Sequence, residues 1–199
     1  MNFWDQQFSG TDFKYGTRPN AFLLDQVARL PSAAHILVPG DGEGRNSVWL
    51  ASQGHRVLAM DASAVGLAKA QALAAEQGVA IETRLADLAD WQPPAGAFDA
   101  LVLTFVHLPP AIRARAHQSL ADALRPGGLL ILEAFQPKQL GRSSGGPKQL
   151  DMLYALADLE SDFDGRMQWL LREECEVVLD EGPGHQGPAC VTRLVGRRI

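Results

Sequence analysis

The 199-residue sequence has little cysteine, no long apolar segment and no excess of positive charge. Its two cysteines, Cys175 and Cys190, lack the spacing of a metal-ligand pair, and both fall in strand-like segments. We therefore expect no metal site and two reduced core thiols in a cytoplasmic protein. No apolar run approaches the roughly 20 residues of a membrane helix, which argues against a membrane partner. The N-terminus also lacks the basic and then apolar pattern of a signal peptide.

The charge balance is mildly acidic. The chain has 18 Lys and Arg against 23 Asp and Glu, a formal net charge of −5. Basic residues are scattered singly except for Arg197-Arg198, whereas binding to nucleic-acid phosphates requires a basic face. The composition therefore argues against a nucleic-acid partner. With 46% hydrophobic residues and no apolar stripe beyond what one core needs, we expect a single domain over 1–199 and a monomer.

Strand-like and helix-like segments alternate through most of the chain. Short runs rich in branched apolar residues are typical of strands at 34–38, 55–60, 80–85, 98–105 and 129–134. Helical spacing or capping residues predict helices near 20–30, 47–53, 63–78 and 110–124. Strands alternating with helices of this length predict a doubly wound, Rossmann-like α/β fold with a mostly parallel sheet and helices on both faces.

The pattern changes after residue 135. A loop rich in glycine spans 136–148 and is followed by a predicted helix over 149–159, and we treat 136–165 as an insertion of loop and helix. Residues 174–180 alternate apolar and acidic side chains, and 189–196 is a final strand after a long turn. Two strands joined without a helix predict an antiparallel hairpin at the edge of a seven-stranded sheet.

A glycine-rich turn follows the first predicted strand. Gly40, Gly42 and Gly44 occupy alternate positions there, and the next strand ends at Asp61. Glycines let the backbone approach a ligand where a Cβ would clash, and an acid closing the second strand is typical of ribose recognition. The pattern predicts a nucleoside site.

The nucleoside is indicated by the acids in this turn. A nicotinamide fingerprint has the spacing G-x-G-x-x-G and binds a pyrophosphate, whereas this turn is G-x-G-x-G and carries Asp41 and Glu43. Two acids would repel a pyrophosphate and attract a sulfonium and an α-amino group. S-adenosylmethionine therefore fits better than a dinucleotide.

Further motifs occur in order along nearly the whole chain. They are Trp4-Asp5, Tyr15-Gly16-Thr17-Arg18-Pro19-Asn20, Gly42-Glu43-Gly44-Arg45-Asn46, Asp61-Ala62-Ser63, Ala86-Asp87-Leu88, Leu124-Arg125-Pro126-Gly127-Gly128, Gly145-Gly146-Pro147-Lys148 and His185-Gln186-Gly187-Pro188-Ala189. With these motifs the chain resembles the class I S-adenosylmethionine-dependent methyltransferases. Within them it resembles the small enzymes related to the tellurite-resistance and thiopurine methyltransferases. The resemblance implies methyl transfer to a small-molecule acceptor, such as a thiol or a tellurium or selenium oxyanion.

The resemblance also implies which residues bind the cofactor. Tyr15 and Arg18 would belong to a lid within an N-terminal segment, 1–30, that also holds the first helix. The residues implied at the cofactor are Tyr15, Arg18, Gly40, Gly42, Gly44, Asn46, Asp61 at the ribose, Ala62 and Ser63 at the adenine, Asp87 and Leu88 at the adenine edge, and Thr104 near the cofactor amino group. Many class I enzymes have an acid where Val38 stands here. Asp41 and Glu43 are candidates to replace it, and backbone carbonyls alone are the other alternative.

Two histidines are the candidate catalytic residues. His107 follows the fourth strand at the ligand-binding end of the sheet, and His185 lies in the turn of the edge hairpin. Either is a candidate base for a neutral oxygen or nitrogen acceptor, while a soft nucleophile needs little base assistance. For an anionic acceptor, Arg18, Arg142 and Lys148 are candidate partners. His117 lies in a polar helical segment, so a surface position is its default.

Two alternatives remain open at this stage. The chain could be a binding module of methyltransferase fold that holds S-adenosylmethionine or S-adenosylhomocysteine without catalysis. It could also be a nicotinamide-dependent oxidoreductase built on a related sheet.

Overall fold

The computed structural model describes residues 2–199 and contains a seven-stranded sheet. The strand order is β3-β2-β1-β4-β5-β7-β6, parallel from β3 to β5 and antiparallel at β7 and β6. The strands are β1 His35–Pro39, β2 Arg56–Asp61, β3 Glu82–Leu85, β4 Phe98–Thr104, β5 Leu124–Phe135, β6 Met167–Asp180 and β7 Gln186–Arg198. The predicted fold class, including the antiparallel edge hairpin, is confirmed.

Six α-helices connect and cover the strands in the described part of the chain. They are α1 Phe3–Phe8, α2 Ala21–Gln26, α3 Arg45–Ser52, α4 Ala64–Glu76, α5 Pro110–Asp122 and α6 Leu156–Asp162. The predicted capping residues begin two of them, because the side chains of Asn20 and Ser63 accept hydrogen bonds from Leu23 N and Gly66 N. None of the helices between residues 2 and 199 is long and apolar enough to cross a membrane.

The strands divide the core into two layers because successive side chains point to opposite faces. Leu37 and Leu101 pack on the face that α5 and α6 cover, in a cluster that includes Leu120 and Leu159. Their neighbours Ile36 and Val102 pack on the other face, against α2 and α3. A sheet covered on both sides explains the nearly continuous apolar strand sequences.

Two segments differ from the sequence predictions. Helix α1 was not predicted, and it begins with a capping box between Asn2 and Asp5. The helix predicted over 149–159 is wrong in its first half, which forms one 3-10 turn, Leu150–Met152, and an extended stretch. Tyr154 N donates to Phe135 O at 2.9 Å there, so the backbone pairs with β5 instead of a helical carbonyl.

His117 is not at the surface as predicted. It lies in α5 with 1% of its surface exposed, and its Nδ1 is 2.8 Å from Asp162 Oδ2. Arg113 also donates to Asp162, at 2.8 Å. The carboxylate that partners His117 comes from α6, 45 positions later in the chain, so local sequence could not indicate it.

Candidate active site

A cavity of about 500 Å3 opens at the carboxyl ends of β1, β2 and β4. The chain leaves β1 toward β2 on one side of the sheet and reaches β4 on the other, so the cavity lies at the switch point of the strand order. Open α/β sheets bind ligands at this position. The loop after β1, the loop after β2 and the segment after β4 all contribute lining residues.

The loop after β1 forms the floor of the cavity. Gly40 has φ +64°, and a Cβ at this position would lie 2.7 Å from Cγ2 of Val106, which also lines the cavity. A side chain there would be strained and would displace the opposite wall. The backbone at Gly40 therefore requires a residue without a Cβ.

Asp61 ends β2 and is 6% exposed. Its Oδ2 accepts from Gly42 N at 2.8 Å and its Oδ1 accepts from Ser63 N at 2.8 Å, so one carboxylate ties together two loops. Burial raises the pKa of Asp61, and these backbone hydrogen bonds oppose the rise. Each carboxylate oxygen can accept a second hydrogen bond, which leaves capacity for the two hydroxyls of a ribose.

Asp41 occupies the amino end of α3 and lines the cavity. Its Oδ2 accepts from Ser47 Oγ at 2.5 Å and its Oδ1 from Ser47 N at 3.2 Å. Burial raises the pKa of Asp41 to about 7 despite these hydrogen bonds. The backbone N–H of Ser47 at the start of α3 thus already donates to the protein's own carboxyl group. It is not available to a pyrophosphate, which binds such helix amides in dinucleotide sites.

One positive side chain, Arg45, lines the cavity, and it is already paired. Its Nη1 donates to Oε2 of Glu181 at 2.7 Å, and both side chains are nearly buried. The acids Asp41, Asp61 and Asp87 line the same cavity without such a partner. The charge distribution therefore favours a cationic ligand over an anionic one.

The second acid of the glycine turn has another role. Glu43 accepts from Lys69 Nζ at 2.5 Å and from Lys14 N at 2.7 Å, so it binds the N-terminal segment to α4. Val38 is fully buried in the core and does not line the cavity. Of the two acids considered as replacements at this position, only Asp41 reaches the cavity.

The N-terminal segment covers the cavity beside Asp61. Trp4 and Phe8 of α1 stack with ring centroids 5.6 Å apart, and both line the cavity. Asn2 Nδ2 donates to Ala62 O at 2.5 Å, and Ser63 Oγ donates to Asp5 at 2.7 Å. Helix α1 is thus attached to the loop after β2.

Asn46 links the start of α3 to the end of β4. Its Nδ2 donates to Thr104 Oγ1 at 2.7 Å, and its Oδ1 accepts from Asn20 N at 2.9 Å. Both Asn46 and Thr104 line the cavity. The Asn46 side-chain amide therefore joins the N-terminal segment to the start of α3 and the end of β4.

Phe105 follows Thr104 with φ +57°, a left-handed backbone conformation that is unusual for an aromatic residue. Phe105 N donates to Glu133 O at 2.7 Å, which holds this backbone. The ring packs 4.5 Å from Phe135 and 4.4 Å from His185, measured between centroids, and lines the cavity. Strained residues of this kind cluster at functional sites.

His107 lines the cavity, but its ring nitrogens bind backbone groups. Nδ1 lies 2.7 Å from Met152 O and therefore donates, while Nε2 accepts from Phe135 N at 3.2 Å. Burial lowers the pKa of His107 to about 4, so the ring is neutral at neutral pH. Because its lone pair is occupied, His107 holds the loop before α6 against β5 and is not free to take a proton.

His185 lies in the turn between β6 and β7 and is 4% exposed. Its ring is 4.3 Å from Tyr15 and 4.4 Å from Phe105, between centroids, so three aromatic rings from distant segments form one wall of the cavity. Burial lowers the pKa of His185, and the carboxylate of Glu181 opposes that shift. Unlike His107, His185 forms no hydrogen bond with a backbone carbonyl in the described chain.

Most residues singled out from the sequence line this one cavity. Those brought together are Tyr15, Gly40, Gly42, Asn46, Asp61, Ala62, Asp87, Leu88, Thr104, His107 and His185. Three others do not line it. Gly44 faces α4, where an added Cβ would lie 2.7 Å from Ala70 Cα, and Ser63 caps α4. Arg18 pairs with Asp180 on the surface at 2.6 Å.

The anion-binding candidates are also outside the cavity. Arg142 donates to Glu176 at 2.8 Å, and Lys148 is exposed and does not line the cavity. Sequence reasoning missed Arg45, Phe105 and Phe8 as lining residues. Arg45 belongs to the motif Gly42-Glu43-Gly44-Arg45-Asn46, which could have indicated its position. The sequence around Phe8 does not indicate a place in the cavity, because that place depends on how α1 folds back.

Part of the chain is similar to known methyltransferases. Residues 36–128 match the family model of a methyltransferase domain. It is 28% identical over 133 residues to the 2-heptyl-1-hydroxyquinolin-4(1H)-one methyltransferase of Mycobacteroides abscessus, an alignment that covers 65% of this chain and 59% of that protein. The chain thus spans less than two thirds of this curated relative.

Solved methyltransferase structures share the fold. TehB from Haemophilus influenzae has a TM-score of 0.73 at 19% identity over 99% of this chain and 66% of that chain. The Burkholderia thailandensis 1,6-didemethyltoxoflavin-N1-methyltransferase, solved with bound S-adenosylhomocysteine, has a TM-score of 0.65 at 17% identity, over 89% and 76% of the two chains.

Proposed function

We propose that this protein transfers the methyl group of S-adenosylmethionine to a small-molecule acceptor. The observation that carries the proposal is the cavity at the strand switch point, which has Gly40 on its floor and three acids in its lining. The one cationic side chain in the lining, Arg45, is neutralised by Glu181. Such a cavity suits a ligand that carries a positive sulfur and no phosphate.

The chain's own residues would hold this ligand. Asp61 would accept hydrogen bonds from the ribose hydroxyls, Asp87 and Leu88 would meet the adenine edge, and Asp41 would attract the methionine amino group. When bound, the cofactor supplies an electrophilic methyl group on a sulfonium. Trp4, Phe8 and Tyr15 would cover the reacting groups and exclude water, and holding the acceptor in line supplies much of the acceleration.

The acceptor we favour is small and uncharged or cationic. The cavity offers no unpaired cation to a tellurium or selenium oxyanion, so a thiol or a neutral oxygen or nitrogen acceptor is better supported. The similar proteins include a hydroxyquinolone methyltransferase and a didemethyltoxoflavin methyltransferase, which supports a small-molecule acceptor. A cytoplasmic location, a monomeric state and a single domain over 1–199 stay predictions.

Conversion of S-adenosylmethionine to S-adenosylhomocysteine tests this function. The purified protein would be incubated with S-adenosylmethionine and a panel of thiols, phenols and heteroaromatic amines, and both nucleosides would be quantified by mass spectrometry. We expect acceptor-dependent S-adenosylhomocysteine formation, strongly reduced in Asp61→Ala. Binding of both nucleosides without turnover of any acceptor would instead identify a binding module, and failure to bind either would refute the proposal.

A further inference from the structure

Nδ1 of His185 is an unsatisfied polar atom in an otherwise well-paired interior. Among the described residues 2–199 it is the one buried side-chain nitrogen or oxygen without a hydrogen-bond partner. Buried polar groups are normally paired, so an exception at a cavity wall calls for a functional explanation. Nε2 of the same ring has no hydrogen-bond partner in the described chain either, but unlike Nδ1 it is not fully buried.

The nearest charge to Nδ1 is the carboxylate of Glu181. Oε2 of Glu181 lies 3.7 Å from Nδ1, longer than a hydrogen bond but within ion-pair distance. Catalytic hydrogen bonds are often long before ligands bind and shorten in the reacting complex. A carboxylate facing Nδ1 favours the tautomer with the proton on Nδ1, which leaves the lone pair on Nε2.

Glu181 is fixed by several partners and cannot turn away from His185 freely. Its Oε2 also accepts from Arg45 at 2.7 Å, while its Oε1 accepts from Asn20 Nδ2 at 3.0 Å and from Ala21 N at 3.2 Å. Burial raises the pKa of Glu181, but the His185 ring, the Arg45 guanidinium and the Ala21 amide together lower it to about 2, so the carboxylate is ionised at neutral pH. Two distant segments of the chain therefore orient this one carboxylate.

We propose that His185 is the proton acceptor for an O–H or N–H methyl acceptor and that Glu181 is its positioning residue. This inference rests on the proposed methyl transfer and adds the residue that takes the proton. His185 lines the same cavity as Asp61 and Thr104, and its ring is held between Tyr15 and Phe105.

The proton and electrons balance without a further reactant. The acceptor atom forms a bond to the methyl carbon, and the electron pair of the broken carbon–sulfur bond stays on sulfur. The acceptor's proton passes to Nε2, which gives an imidazolium beside the carboxylate of Glu181. His185 then releases the proton to water, so each turnover yields methylated product, S-adenosylhomocysteine and one proton.

The surroundings keep His185 neutral before the reaction. Glu181 faces it from the hairpin, Arg45 from α3, Lys14 and Tyr15 from the N-terminal segment, and His107 from the segment after β4. Burial and the positive charges of Arg45 and Lys14 lower the pKa of His185, and Glu181 partly offsets them. A neutral imidazole at neutral pH is the form that accepts a proton.

The tautomer of His185 tests the inference without an acceptor. Two-dimensional NMR of the 15N-labelled histidine ring, recorded on the complex with S-adenosylhomocysteine, distinguishes Nδ1–H from Nε2–H. We expect Nδ1–H with an unprotonated Nε2 and a pKa below that of an ordinary histidine, lowered further in Glu181→Gln. An Nε2–H tautomer would overturn the inference, while failure to bind S-adenosylhomocysteine would instead refute the proposed function.

Matched acceptors test the catalytic role. 2-Naphthol carries an O–H that needs a base, whereas 2-naphthalenethiol ionises more readily and needs little help. In His185→Asn we expect methylation of 2-naphthol to fall by about 10²–10⁴-fold and that of the thiol to change little. The control His35→Asn, at the opposite end of β1, should behave as wild type. Equal losses of activity toward both acceptors in His185→Asn would overturn the inference, and so would methylation of the thiol alone by the wild type. If the wild type methylates neither acceptor, the tautomer of His185 measured by NMR decides.

Discussion

Replacing Gly44 by alanine is expected to destabilise the fold more than any backbone strain alone can explain. Gly44 precedes α3 with φ +94°, a conformation that costs an alanine about 1–2 kcal/mol. A Cβ at this position would also lie 2.7 Å from both Cα and Cβ of Ala70, a fully buried residue of α4. Forcing such a contact typically adds about 1–3 kcal/mol, so we expect a total loss of about 2–5 kcal/mol.

Gly54 supplies a matched control for this substitution. It has nearly the same φ, +87°, but an added Cβ there would meet no atom within 4 Å. Gly54→Ala should therefore lose only the strain of about 1–2 kcal/mol. Urea unfolding of both variants gives the difference, provided that the slopes agree. Equal losses would refute the close approach of α3 and α4, and with it the structural role of Gly44.

Three further changes test the charges around the cavity. The pKa of Asp41, about 7, lies above that of an unfolded carboxyl, so its contribution to stability is present below about pH 4 and is lost as the pH rises to 7. In urea unfolding, Asp41→Asn should gain about 4 kcal/mol relative to wild type over this interval. Arg45→Met should cost about 3–5 kcal/mol because Glu181 is left buried and unpaired, and adding Glu181→Met should recover most of the loss. Arg18→Ala should change the unfolding free energy by less than about 1 kcal/mol and leave S-adenosylhomocysteine affinity unchanged in calorimetry, because its ion pair is exposed.

The sheet and the part of the cavity beside Asp61 could be predicted because their signals are local. The apolar run ending at Asp61 fixes a strand and an acid at its carboxyl end, and parallel strands bring such ends to one edge of a sheet. The glycine turn after β1 likewise carries its conformational requirement in the sequence, as Gly40 shows. These features depend on neighbours in the chain.

The rest depends on contacts between distant segments. Glu181 is 136 positions from Arg45 and lies in a turn whose sequence indicates only a change of direction. The sequence around His117 predicts a surface position because nothing in it indicates the partner Asp162, which lies on another helix. Helix α1 is too short for its sequence alone to predict it. It is held by a contact with a distant residue, because Ser63 Oγ donates a hydrogen bond to Asp5.

The two histidines show the same limit at the level of chemistry. The sequence placed His107 and His185 at the right end of the sheet but could not distinguish them. In the structure both ring nitrogens of His107 form hydrogen bonds with the backbone, at Met152 O and Phe135 N. In contrast, Nδ1 of His185 faces the carboxylate of Glu181. Hydrogen bonding by backbone groups that come together only in the fold decides which ring is free to react.

Isothermal titration with S-adenosylmethionine, S-adenosylhomocysteine and NADH tests the central claim most directly. We predict micromolar binding of the first two ligands, no binding of NADH, and loss of binding in Asp61→Ala, with far-ultraviolet circular dichroism to show that the variant remains folded. Gly54→Ala, which lies away from the cavity, should bind as wild type. Binding of NADH without binding of either sulfur-containing nucleoside would contradict the account.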